Sequence, residues 1–312
     1  MPYRIEDKLV VGVSTNALFN LEEEDKIFRE QGIEAYKDYQ DKNKDAIILK
    51  GLAFPFIRRF LNINSIFYKE RPVEVVLLSK NSPETGLRVF NAIKHYDLDI
   101  SRAVFTSGRS PFEYIPAYNI SLFLSTNLTD VNLAIDKNYP AGFILNTDIH
   151  DDEEDKELRI AFDFDGVLVD DSAERIYQKN GDLKEFHAYE NEHSNEPLNP
   201  GLMQKFFKQI SLFQKLENKK KLKDPSYEKI LRTAIVTARN APAHERAVNT
   251  LKSWDVDVDE MFFLGGIEKK RVLEVLKPHI FIDDQLNHLD TSLQDIQLVH
   301  IPFGIINMNI TE

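Results

Sequence analysis

The chain has 312 residues, with 39 Lys and Arg against 51 Asp and Glu, a net charge of -12 and no cysteine. That length suits about two domains, the acidic balance disfavours nonspecific contact with a nucleic acid polymer, and the lack of cysteine excludes disulfides, thiolate metal ligands and cysteine nucleophiles. The start, "MPYRIEDKLVVGVS", has no basic segment ahead of a long apolar core, and no apolar run approaches the roughly 18 residues that span a bilayer, so a cytoplasmic protein without membrane contact is expected.

In chain order, short runs rich in Val, Ile and Phe alternate with amphipathic stretches: "KLVVGVS", "VEVVLLS", "RAVFTS" and "SLFLST", then "RIAFD", "TAIVTA", "EMFFLGG", "HIFIDD" and "IQLVHIPF". Runs of that length ending in small or polar residues predict buried strands of a parallel sheet, with helices such as "ETGLRVFNAIKHY" and "AHERAVNTLKSW" between them. The fold class is α/β.

The order of these runs repeats. Adding 158 to the numbering lays "SKNSPETGLRVFNAIKHYDLDI" on "TARNAPAHERAVNTLKSWDVDV" without a gap and pairs Arg88 with Arg246, Asn91 with Asn249 and Asp97 with Asp255. Polar matches on helix surfaces exceed what a shared binary pattern requires, so a tandem duplication is predicted, with halves 1–150 and 151–312 joined at the charged run "DIHDDEEDKE".

In "RIAFDFDGVLVDD" the strand ends at two acids spaced two apart, so Asp163 and Asp165 project together from the C-terminal edge where open parallel sheets bind ligands. Like charges so close are costly unless a cation sits between them or one carboxyl is protonated, and carboxylate oxygens suit Mg²⁺. Asp170 and Asp171, further on, are expected to open a helix.

"DFDGVLV" resembles the first motif of the haloacid dehalogenase-like phosphohydrolases, and the resemblance implies a Rossmann-like parallel sheet with a small helical cap, placed at about 170–230. It further implies that Thr237, ending "TAIVT", contacts the phosphoryl group, that Lys269, in preference to Lys270, binds phosphate, and that Asp283 and Asp284 complete a metal site with Asp163 and the backbone carbonyl of Asp165. Arg239 is a further candidate for contact with phosphate or base. The duplication places Ser14 and Asn16 opposite Asp163 and Asp165, Pro111 opposite Lys269, Ser125 and Thr126 opposite Asp283 and Asp284, and Ser79 opposite Thr237. Only the hydroxyl is kept, which predicts a noncatalytic first half.

Beyond the superfamily, "VGVSTNALFNL", "AFPFIRRF", "NAIKHYDLDI", "LRIAFDFDGVLV", "ENEHSNEPLNPG", "AIVTARNAPA" and "KPHIFIDDQLNH" resemble the cytosolic 5′-nucleotidase I family over about residues 8 to 305. That resemblance implies Mg²⁺-dependent hydrolysis of nucleoside 5′-monophosphates, with Asp163 as nucleophile and Asp165 as general acid and base. Phe164 stands where that family commonly has glycine, which makes it a candidate for setting base or sugar preference. The charged set is shared with other phosphatases and with nucleoside phosphotransferases of the superfamily, whereas a noncatalytic nucleotide-binding module would lack it. His187, Glu190, Glu192 and His193 fit no regular metal motif and are expected as a surface cluster, "KLENKKKLKDPSYEK" as an exposed loop. The oligomeric state is left open, a homo-oligomer included.

Overall fold

The computed structural model describes residues 3–83, 86–173, 175 and 183–308. Two compact units, Met1–Ile144 and Leu145–Glu312, divide the chain. Both are α/β.

The first unit holds strands β1 (Leu9–Ser14), β2 (Val73–Ser79), β3 (Arg102–Phe105), β4 (Ile120–Ser125) and β5 (Ala141–Ile144), in the order β3-β2-β1-β4-β5 with parallel neighbours. β2 is buried along its whole length because helices cover both faces of such a sheet, which is why "VEVVLLS" is apolar from Val75 to Leu78, with Glu74 buried in a pair with Arg102. The edge strand β3 is only half-buried. β5 is absent from the runs named from sequence: "AGFI" has four residues, two of them small, directly after a proline, too little for a strand signal.

The second unit holds β6 (Leu158–Phe162), β7 (Leu231–Thr237), β8 (Glu260–Phe263), β9 (Ile280–Asp283) and β10 (Gln297–His300), in the order β10-β9-β6-β7-β8, again with parallel neighbours. Its core gathers Val236, Leu273, Phe281, Leu289 and Leu298. Among the described residues no helix is long and apolar enough to cross a membrane.

Of the stretch 170–230, the helix Gln204–Lys223 lies on the sheet. Its residues Phe206, Phe207, Ile210 and Phe213 recur at helical spacing and are buried, with Phe206 and Phe207 6.2 and 5.3 Å from the Phe162 ring. This helix also corrects the expected loop: "KLENKKKLK" continues it to Lys223, as its run of Lys, Leu and Glu favours. Glu217 inside that run is buried and accepts the N–H groups of Ile230 and Leu231 at 2.8 and 3.1 Å, tying the helix to the start of β7. The described residues of the stretch also include the helix Leu183–Glu192. "SAERIYQKN", whose apolar spacing predicts a helix in this stretch, lies mostly outside the described residues.

Candidate active site

Parallel pairing sets the site. β6 lies between β7 and β9, with Phe162 in register with Ile235 and Ile282, so the residues just past these strands emerge side by side. The Asp163 N–H donates to the Ile282 carbonyl at 2.8 Å, which holds the nucleophile candidate against the end of β9. At that edge Lys269 Nζ stands 2.8 Å from Asp163 Oδ1 and 2.6 Å from Asp283 Oδ2, all three side chains being buried. Asp283 Oδ1 accepts the Gln285 N–H at 2.9 Å and lies 3.3 Å from His288 Nδ1. Lys270, one residue on, turns away to Asp290 and Ser292 at 2.8 and 2.7 Å.

Gly166 makes the close approach of Asp284 possible. Its φ is +75°, and a Cβ there would stand 2.3 Å from Asp284 Oδ2, so the glycine of "DFDG" is required by both conformation and space. The Asp284 backbone carbonyl is held by Asn307 Nδ2 at 2.9 Å and by His300 Nε2 at 3.0 Å.

The electrostatics are unbalanced. Burial pushes Asp163 up to about 7 and the Asp283 and Asp165 carboxylates push the same way, against Lys269. Burial, Asp163 and Asp283 raise Asp284 to about 9. Asp283 goes the other way, to about 2, because Lys269 and His288 overcome its burial. Lys269 is buried too, yet Asp163 and Asp283 hold it protonated above the usual ammonium value. One ammonium therefore serves three clustered carboxylates, and the surplus negative charge fits a bound cation.

Two further observations fit a metal ion. Asp284 Oδ1 is buried without a hydrogen-bond partner, a cost that an ion would remove. Asp163, Asp283 and His288 each offer one ligand atom, all within 4.8 Å of one another.

Asp165 is placed differently. Arg239 grips both its oxygens, Nε to Oδ2 and Nη2 to Oδ1, each at 2.7 Å. The remaining terminal nitrogen of Arg239 pairs with Glu190 and also donates to the Ala243 carbonyl at 3.2 Å. Burial opposes the charge on Arg239, but Asp165 and Glu190 outweigh it and raise its pKa above the ordinary guanidinium value. Phe164 is fully buried with its ring 5.4 Å from that guanidinium, so here the large side chain supports Arg239. Thr237 is buried, and its Oγ1 accepts the Arg239 N–H at 3.2 Å.

The expected surface cluster is corrected. Glu190 is fully buried between Arg239 and Arg246, which approaches it at 2.9 Å. A carboxylate of that kind enters a core only when paired; Glu190, on the helix beginning at Leu183, is paired by Arg246 of the helix beginning at His244 and by Arg239 just past β7. His187 bonds Asn240 Oδ1 at 3.0 Å and His193 bonds the Tyr189 carbonyl at 2.8 Å, so the two rings have separate partners. Asp170 accepts the Ser172 N–H at 3.2 Å, as a residue opening a turn does, whereas Asp171 is buried and accepts the Ile305 N–H at 2.8 Å.

Residues 1–308 match the 5′-nucleotidase family. The chain belongs to that family. This 5′-nucleotidase family member is similar to cytosolic 5′-nucleotidase 1B of Homo sapiens, 31% identical over 297 residues that cover 93% of this chain and 48% of the relative. It thus spans about half the length of the curated relative it matches. No solved structure matches it.

Sequence reasoning missed His288, His300, Asn307 and the buried role of Glu190. His288 follows Asp283 by five residues on a 3-10 turn, and nothing in its spacing separates it from a surface histidine. Asn307 lies far along the chain, and only the tertiary fold returns it to Asp284.

Proposed function

We propose that this 5′-nucleotidase family member hydrolyses nucleoside 5′-monophosphates to nucleoside and phosphate in its second unit, through a phosphoaspartate on Asp163 and with Mg²⁺ as cofactor. The observation that carries the reading is the buried Asp163 at a strand end, beside Lys269 at 2.8 Å, in a cluster with more carboxylate than ammonium charge. Asp163, Asp283 and Asp284 would hold Mg²⁺, which supplies positive charge to offset the phosphoryl oxygens as bonding changes.

An oxygen of Asp163 attacks phosphorus, the P–O5′ bond breaks, and the nucleoside leaves once a proton reaches O5′. Water then attacks the phosphoaspartate phosphorus and loses a proton, and the P–O bond to Asp163 breaks to free phosphate. The Lys269 ammonium neutralises charge on the transferring group, and Thr237 at the end of β7 adds a hydroxyl donor. Asp165, two residues beyond Asp163, is the group for both proton transfers, and this work requires Arg239 to release one of its oxygens. Arg239 is then free to meet phosphate or base, and Phe164 tunes preference through it.

The first unit is read as a noncatalytic haloacid dehalogenase-like copy of the second. The equal strand orders support this, as do matched polar bonds. Arg88 Nε donates to the Ala46 carbonyl at 3.3 Å and its terminal nitrogen pairs with Glu24, while Arg246 Nε donates to the Glu196 carbonyl at 2.9 Å and its terminal nitrogen pairs with Glu190. Asn91 donates to the Lys44 carbonyl and Asn249 to the Ser194 carbonyl, both at 3.0 Å. The helix Leu183–Glu192 is the described part of the cap, its Glu190 and His187 reaching Arg239 and Asn240. We place the protein in the cytoplasm, in line with the relative named cytosolic, acting on small nucleotides without a nucleic acid or membrane partner.

The test is phosphate release from a panel of nucleoside monophosphates and sugar phosphates, with and without Mg²⁺. Nucleotide turnover that needs Mg²⁺ and disappears in Asp163→Asn is expected. Undiminished turnover in that variant overturns the mechanism, and turnover of sugar phosphates alone overturns the substrate class.

A further inference from the structure

The first unit contains a cavity of about 610 Å³, within the roughly 300–1,000 Å³ range of small-molecule sites. Its wall includes Ser14, Asn16, Ser79, Pro111, Ser125 and Thr126. Ser14, Ser79 and Ser125 end β1, β2 and β4, as Asp163, Thr237 and Asp283 stand at or just past the ends of β6, β7 and β9. The positions matching the second unit's acids thus line a cavity in the first with hydroxyl and amide groups in their place, and Pro111 stands there opposite Lys269.

The cavity's charges argue against an anion. Lys80 is 2.8 Å from Asp130, which also accepts the Ser110 hydroxyl, and Lys37 is 3.7 Å from Glu34. Each basic residue on the wall therefore has a carboxylate partner. Asp25 adds a further carboxyl, held by Asn16 Nδ2 at 2.6 Å and raised above the usual carboxylate range by burial. A phosphate entering here would meet acids without an unpaired ammonium to receive it.

The cavity's apolar surface suits a flat ring. Phe28 and Tyr36 meet edge to face at 5.8 Å, and Phe28 and Ile33 are 50% and 55% exposed at the wall. A half-exposed phenyl edge beside hydroxyls and amides matches an uncharged ligand with an aromatic heterocycle at one end and sugar hydroxyls at the other.

We propose that this cavity is a non-hydrolytic binding site for a nucleoside, the uncharged product class of the reaction assigned to the second unit. The choice of nucleoside rests on that reading, whereas the preference for an uncharged, ring-bearing polyol rests on the cavity itself.

Hydrogen-exchange titration of the full chain carrying Asp163→Asn, which blocks turnover, reads affinity segment by segment. The probes are adenosine, guanosine, cytidine and uridine, their 5′-monophosphates, and inorganic phosphate. At least one nucleoside is expected to protect 14–16, 28–37, 79–82 and 125–127, at least tenfold more tightly than its monophosphate. Phe28→Ala, at a half-exposed position, is expected to weaken that protection about tenfold or more while leaving phosphate release by the otherwise unmodified chain unchanged. Asn16→Leu, which removes the amide facing Asp25, is expected to weaken it as well. Protection by inorganic phosphate alone, protection confined to the second unit, or affinity at these segments unmoved by both variants overturns the proposal. Phosphate release by the unmodified chain reports the hydrolytic reading separately, so either can fail while the other stands.

Discussion

Arg239 binds both carboxylate oxygens of Asp165 at 2.7 Å, and the same guanidinium is anchored by the fully buried Glu190. Planar fork-on-carboxylate geometry of this kind fixes orientation as well as charge. The proposed acid and base is therefore parked in one rotamer two residues from Asp163, the proposed nucleophile, by a residue seventy-four positions away, which on the proposed mechanism gates its proton chemistry.

If Asp165 moves the protons, Asp165→Asn lowers kcat by about 10² to 10⁴ with KM little changed. Arg239→Lys keeps the charge but loses the fork, and is expected to lower kcat at least about tenfold through a misplaced Asp165. Steady-state kinetics on a nucleoside monophosphate checks both. Unchanged kcat in Asp165→Asn assigns the proton transfers elsewhere.

Mg²⁺ should stabilise the fold, and more so at higher pH. Asp163 and Asp284 have folded values near 7 and 9, raised above the ordinary carboxylate value, so the folded chain binds protons that the unfolded chain gives up. Their contribution therefore costs stability progressively as pH rises from about 4 through 9. A bound divalent cation offsets that repulsion, so the Mg²⁺-induced rise in Tm should be larger at pH 8 than at pH 5 and should shrink in Asp283→Asn. Differential scanning fluorimetry reads it, and equal shifts at both pH values in the variant and parent chains would count against metal at this cluster.

Glu190→Gln leaves Arg239 and Arg246 buried with one carboxylate fewer. Breaking a buried ion pair from one side costs about 3–5 kcal/mol, so a loss of that order in denaturant unfolding is expected, with Asp165 less firmly held. A change within about 0.5 kcal/mol, the range of ordinary surface substitutions, would mean that Glu190 is not the anchor described.

The strands were legible because both faces of a parallel sheet are covered, so β2 and β7 announce themselves by the short apolar stretches "VVLL" and "AIV" at their centres. Asp163 was legible as a candidate because strand ends in such sheets present polar residues at one edge, and Lys269 and Asp283 because their stretches resemble motifs of a known superfamily. The buried pairing of Glu190 was not legible: its neighbours His187, Glu192 and His193 give it the local context of a solvated face, and its partners come from other parts of the chain. Helix against loop over "KLENKKKLK" turned on Glu217, whose partners Ile230 and Leu231 lie across the following turn.

By itself the sequence determined the α/β class, the alternating strands and helices, and the paired Asp163 and Asp165 at the end of β6, because these follow from local periodicity and spacing, while Lys269, Asp283 and Asp284 were named through resemblance to a known superfamily. Only the tertiary structure decided that Lys269 is shared between Asp163 and Asp283, that Arg239 closes on Asp165, and that the strand ends of the first unit enclose a cavity. Those outcomes depend on distances between residues far apart in the chain and on which charges lose water together, and neither quantity is encoded in any short stretch of residues.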